Sequence, residues 1–105
     1  MMRGEMTQQV DEAWTGGSGI SFDGRVVELF GFSGTERKHV RELGYEVGGP
    51  DRKGVYTLLV GRMSKGKLKG GAMLGVTGED WPAVEAVLRR IDAAQAELGV
   101  DRNPG

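Results

Sequence analysis

Apolar residues alternate with polar ones from Gly19 onward and recur at steps of three and four after Asp80, so this chain builds a run of strands and then one helix. The alternation is clearest in Ile20-Ser21-Phe22-Asp23-Gly24-Arg25-Val26-Val27. Asp23-Gly24 is the dipeptide that most readily adopts the positive φ angles of a two-residue type I′ turn. In that register Phe22 faces Arg25, Ile20 faces Val27 and Ser18 faces Leu29. Ile20, Phe22, Val27 and Leu29 then share one face, with Ser21, Val26 and Glu28 on the other.

The second strand runs on through Phe30-Gly31-Phe32, Ser33-Gly34 turns the chain, and Glu36 to Leu43 reads as a third strand with a charged outer face. Tyr45-Glu46-Val47 is a short fourth strand ended by Gly48-Gly49-Pro50-Asp51, whose glycine and proline break any ladder. Val55 to Val60 is apolar on both faces and continues toward Met63, and Ala72 to Thr77 forms another strand. Residues 55 to 77 therefore predict a long hairpin with a polar, glycine-punctuated tip from Ser64 to Gly70.

At Asp80 the period changes. Asp80 suits a helix N-cap, Pro82 falls in the first turn, and Glu85 adds negative charge near the positive end. Trp81, Val84, Leu88, Ile91 and Leu98, flanked by Val87 and Ala94, form one stripe, and Gly99 stands where a left-handed residue ends a helix. The pattern predicts a helix of about 18 residues that buries Val84, Leu88 and Ile91 on the sheet.

Residues 1–18 read as an N-terminal tail closed by the linker Gly16-Gly17-Ser18-Gly19. Met6, Val10 and Trp14 are four residues apart, which leaves two readings open. One is a frayed terminus with Trp14 lying loosely on the domain; the other is a short helix capped by Thr7 that docks on the domain or on a partner. Deleting residues 1–15 is accordingly expected to leave the melting transition nearly intact. One domain spans 19–99, and 100–105 form a second tail. The fold class is mainly β (α+β): a strongly bent antiparallel sheet or small barrel of six or seven strands, capped by one C-terminal helix.

With that element order, the Ile20 to Val27 hairpin and the single long terminal helix, residues 19–98 resemble the bacterial pleckstrin-homology-like (PH-like) domains, including short actinobacterial domains of unknown function. The resemblance implies a seven-stranded bent sheet capped by a helix, used to bind phospholipid, peptide or further copies of itself. Phosphoinositide-binding members of the wider family carry several Lys and Arg in the first hairpin. Here only Arg25 stands beside Asp23-Gly24, so headgroup binding by that route is not expected.

Composition narrows the chemistry. The 105 residues contain no cysteine and a single histidine, His39, which excludes disulfides, thiolate zinc sites, a cysteine nucleophile and a histidine metal cluster. Neither a cofactor nor a metal is expected. No stretch approaches the roughly 18 apolar residues of a membrane span, and a cytoplasmic protein is the expectation. Net charge is only −1, from 14 basic and 15 acidic residues, but it is unevenly spread. Residues 48–70 hold six cations against Asp51, whereas residues 1–34 and 79–98 each hold two cations against five carboxylates.

The basic segment contains Gly61-Arg62-Met63-Ser64-Lys65-Gly66-Lys67-Leu68, which fits G-x-x-x-x-G-K. Leu68 occupies the Mg-binding Ser/Thr position and a strand follows where a phosphate loop needs a helix, so nucleotide binding is rejected. Arg62, Lys65, Lys67 and Lys69 make a basic hairpin tip instead. Two readings stay open: a solvated loop that keeps a sheet edge from pairing, or a loop that meets nucleic-acid phosphate, an anionic membrane surface or an acidic protein. Aromatic residues for base stacking are not interleaved.

His39, among Arg37, Lys38 and Arg41, reads as a surface or cross-strand histidine, Glu79-Asp80 as a helix cap, and Asp11-Glu12 as solvated charge. No Ser, His and acid arrangement is proposed, and no enzymatic activity is expected. The leading expectation is a non-enzymatic module that binds a protein partner or its own copies. The alternative is anion binding by the 62–69 loop against nucleic acid or anionic lipid, and a small enzyme comes third.

Overall fold

The computed structural model describes residues 11–31 and 34–99. Among these residues seven antiparallel strands, β1 (Asp11–Thr15), β2 (Ser18–Phe22), β3 (Val26–Gly31), β4 (Gly34–His39), β5 (Leu43–Gly48), β6 (Val55–Ser64) and β7 (Lys67–Thr77), precede one helix, α1 (Trp81–Leu98). They form a four-stranded sheet in the order β1-β2-β3-β4 and a three-stranded sheet in the order β5-β6-β7, which do not join into a closed barrel. The α+β class, the terminal helix and its length agree with the sequence reading. Between the sheets lies one core of Ile20, Phe22, Val27, Leu29, Leu43, Leu58, Val60, Leu74 and Val76, completed by Val84, Val87, Leu88 and Ile91 of α1.

Asp11–Thr15, read as tail, is a sheet strand that pairs with β2 from Asp11↔Phe22 to Thr15↔Ser18. Gly16-Gly17 is the hairpin turn between them and not a linker; Gly16 takes a φ of 61°, which glycine adopts without steric cost. Ala13 and Thr15 alternate inward and are buried. Met6, Thr7 and Val10 of the helical alternative lie outside the described residues, as do Phe32-Ser33 and the 100–105 tail.

In the β2–β3 hairpin the four apolar residues share the buried face as expected, but the register is two residues longer. Phe22 pairs with Val27 and Ile20 with Leu29, so the three residues Asp23 to Arg25 connect β2 to β3. Asp23 Oδ1 accepts hydrogen bonds from the N–H groups of Arg25 and Val26, both at 2.8 Å. This local bonding competes with the two-residue turn. Donation from Val26 and then Arg25 holds the Asp23 carboxyl below the ordinary carboxylate range. Because the folded-state pKa is the lower one, the stabilisation is complete above the unfolded-state value of about 3.9 and is lost as pH falls through the folded value. Thermal melts at neutral pH and at pH 3 should therefore show a smaller acid-induced loss in Asp23→Asn than in the wild type; equal losses would count against this account.

The strand read from Glu36 to Leu43 is β4, which starts at Gly34 and ends at His39. Val40 turns into the core, its N–H donating to the Arg25 carbonyl at 2.7 Å, and Glu42 N–H returns to the His39 carbonyl at 2.9 Å. This corner passes the chain from one sheet to the other, and β5 starts at Leu43.

Helix α1 lies against β1, β2 and β7. Pro82 is in its first turn, and Gly99 ends it with a φ of 73° and an N–H directed to the carbonyls of Ala96 and Gln95. Asp80 occupies the N-cap position without a side-chain cap bond; its carboxylate accepts from the Thr77 hydroxyl at 3.0 Å. Glu85 lies beyond the first turn and pairs with Arg89 at 3.7 Å. Leu98, placed on the apolar stripe, is exposed, while Gln95 is buried. Trp81 stacks on Tyr56 with ring centres 4.5 Å apart, and the Tyr45 hydroxyl donates to Asp92.

Candidate functional site

The basic segment is strand almost to its end. Arg62 pairs with Lys69, Met63 with Leu68 and Ser64 with Lys67, leaving only Lys65-Gly66 as a two-residue turn. Lys65 and Gly66 have φ angles of 53° and 77°, as a type I′ turn needs at both central positions. The expected loop of 64–70 is thus replaced by a paired hairpin, because the alternation of Met63 and Leu68 against charged neighbours continues to the tip. Met63 and Leu68 fold back over Gly44, where a side chain would collide with them.

At the base of this basic stretch the ladder is irregular. Gly61 alone stands opposite Gly70 and Gly71, a β-bulge between the Val60 and Arg62 pairings. Gly71, at a φ of 103°, lies so close to the Val60 carbonyl that any Cβ would collide with its oxygen. The bulge lets Arg62 and Lys69 continue the face that carries Val60 and Ala72. That face turns toward the core further down and toward β4 here.

The β4 strand meets it with its own charged side chains. In the β3–β4 ladder Leu29 pairs with Glu36 and Val27 with Lys38, so Glu36 and Lys38 lie on the core-facing side where apolar residues would close a sandwich. Arg37 lies on the opposite face and pairs with Glu28 at 3.4 Å. The outer face of β4 is charged as expected, and its inner face is too.

The result is an open groove of about 460 Å³ between β4 and the hairpin, lined by Glu36, Lys38, Arg62, Ser64, Lys69 and the bulge glycines. Of the four basic residues singled out in the sequence, Arg62 and Lys69 line it, whereas Lys65 and Lys67 are exposed toward the tip. Lys38 is the cation that sequence reasoning missed; its one signal is the two-residue alternation that puts it in line with Glu36. Its ammonium lies 4.0 Å from Glu36, the carboxylate among the lining residues. Three cations against one carboxylate leave a net positive, solvent-open site. It suits holding several negative charges at once, because each exposed pair alone is worth about 0–1 kcal/mol.

Other candidates are placed elsewhere. His39 is exposed at the end of β4, and its Nδ1 accepts the Arg41 N–H at 3.1 Å. Glu79 is exposed beside the N-cap. Asp11, read as solvated charge, instead meets Arg90 of α1 at 3.0 Å. Among the described residues no three His, Asp or Glu side chains gather as a metal ion would require, and no helix is long and apolar enough to cross a membrane. Compared with known proteins, the chain matches no protein family, no curated protein and no solved structure.

Proposed function

We propose that this chain is a non-enzymatic binding module of the PH-like type, and that the groove between β4 and the β6–β7 hairpin takes an acidic, extended segment of a partner protein. The observation that supports it is the convergence of Lys38, Arg62 and Lys69 from two sheets on one open groove. The PH-like scaffold is supported by four strands, a corner, three strands and a terminal helix that packs on β1, β2 and β7. An extended peptide fits this site better than a compact phosphate, since the cations stand on opposite walls and β4 is an edge strand with one unpaired side. Among the described residues no aromatic ring lines the groove for stacking on bases.

The test uses a fluorescent glutamate-rich peptide followed by anisotropy at low and high salt. The wild type should bind it with an affinity that falls as salt rises, and Lys38→Ser/Arg62→Ser/Lys69→Ser should lose at least about tenfold, the equivalent of 1.4 kcal/mol. All three are surface positions, so melting should stay within about 0.5 kcal/mol per site. Binding of duplex DNA or anionic vesicles without binding of the peptide would overturn the acidic-segment reading.

A further inference from the structure

The β6–β7 hairpin tip and the first strands of this molecule differ in charge. Arg62 to Gly71 hold four cations and no carboxylate, while 11–31 hold Arg25 against Asp11, Glu12, Asp23 and Glu28. β5 starts opposite Arg62, so beyond that point β6 and β7 continue without a third strand as a two-stranded arm ending in Lys65-Gly66. Lys65 and Lys67 are exposed on it.

The outer face of the four-stranded sheet carries Glu12 and Glu28 in one row; Arg37 pairs with Glu28 at 3.4 Å, so Glu12 is the carboxylate left for a cation from outside. Trp14, Gly19 and Phe30 form one cross-strand row. The missing side chain at Gly19 lets the indole settle over the backbone; a Cβ there would lie 2.6 Å from Trp14 Cε3. The indole stacks against Phe30 at 5.2 Å and 20°, yet Trp14 remains 49% exposed. Its Nε1–H donates to Glu12 Oε1 at 3.3 Å, which holds a carboxylate beside the ring. A half-exposed indole next to a carboxylate attracts an ammonium through both its π-face and direct Coulomb attraction.

We propose that the arm tip of one copy, through Lys65 and Lys67, docks on the Trp14, Phe30 and Glu12 platform of a second copy. The charge complementarity of the two surfaces argues for a second copy, and the contact uses the tip and not the groove walls, so it stands apart from the peptide-binding reading. Since the two surfaces differ, the association is heterologous and propagates head to tail into a ring or a filament.

Sedimentation velocity at low salt over rising concentration tests it. The wild type should grow beyond a dimer and dissociate as salt is raised. Lys65→Ser/Lys67→Ser keeps the platform and loses the tip; Glu12→Lys keeps the tip and Trp14 but reverses the platform charge. Each alone should stay monomeric, with association weakened at least about tenfold, and an equimolar mixture should form a complex that stops at one copy of each. Trp14→Ala, checked for folding by circular dichroism, should behave as Glu12→Lys does. A wild type that is monomeric throughout, a variant that still assembles alone, or a mixture that fails to pair while the wild type assembles would each overturn the proposal. In the first case peptide binding in the groove is untouched.

Discussion

Removal of residues 1–15 is expected to cost most of the stability of this domain, contrary to what a tail would predict. The deletion takes away β1, whose Ala13 and Thr15 are buried and whose five residues pair with β2 from Asp11 to Thr15. It also removes one of the three strands against which α1 packs, and with it the Asp11 partner of Arg90. The ion pair itself is half exposed and contributes little. The larger loss is that β2, which holds the fully buried Ile20 and Phe22, becomes a bare edge beneath a helix that has lost part of its floor. Against a total of about 5–15 kcal/mol, this should abolish the cooperative melt or lower its midpoint by more than about 10 °C. Circular dichroism melts of the truncated and full chains decide the matter, and a shift below about 2 °C would mean that β1 contributes nothing to the folded unit.

The missed strand shows where local pattern reasoning stops. Asp11-Glu12-Ala13-Trp14-Thr15 has only one small apolar residue and one threonine facing inward, too weak an alternation to announce a strand. Gly16-Gly17 has the same composition in a linker and in a two-residue turn, and only the pairing of Thr15 with Ser18 distinguishes them. The β2–β3 hairpin failed more gently. A register shift of two residues leaves every side chain on its face, so the core of Ile20, Phe22, Val27 and Leu29 was legible although the turn was not. The helix was legible at both ends because Pro82 and Gly99 each act through their own backbone geometry.

The site was half legible for a related reason. Arg62 and Lys69 belong to a dense run of like charge, which composition exposes directly. Lys38 belongs to a different sheet, and no local spacing relates it to the hairpin. Its place in the groove depends on the Val27↔Lys38 pairing and on how the two sheets face each other, which are tertiary facts. The bulge at Gly70-Gly71 was hidden too, since glycines in a polar stretch read first as loop.

Gln95 carries the second large expected effect. On the helical stripe it follows Leu88 and Ile91 at steps of three and four, a polar residue in an inward position, and it is buried. Its Nε2 donates to the carbonyls of Val40 at 2.9 Å and Leu43 at 2.7 Å, the two ends of the corner where the chain leaves one sheet for the other. One side chain of α1 thus fixes the passage from β4 to β5, and through it the spacing of β4 from the hairpin that shapes the groove. Gln95→Ala removes both hydrogen bonds and strips the donor from two carbonyls; at about 1–3 kcal/mol for each buried group left unsatisfied, the loss should be about 2–6 kcal/mol. Gln95→Leu restores the volume and removes the buried, unpartnered Oε1 but donates nothing, so it should recover part of that loss and stay less stable than the wild type. Urea titrations of the three proteins separate packing from hydrogen bonding. A leucine variant as stable as the wild type would show that the corner is held by burial alone, and that the two short hydrogen bonds to Val40 and Leu43 are a consequence of the fold and not one of its causes.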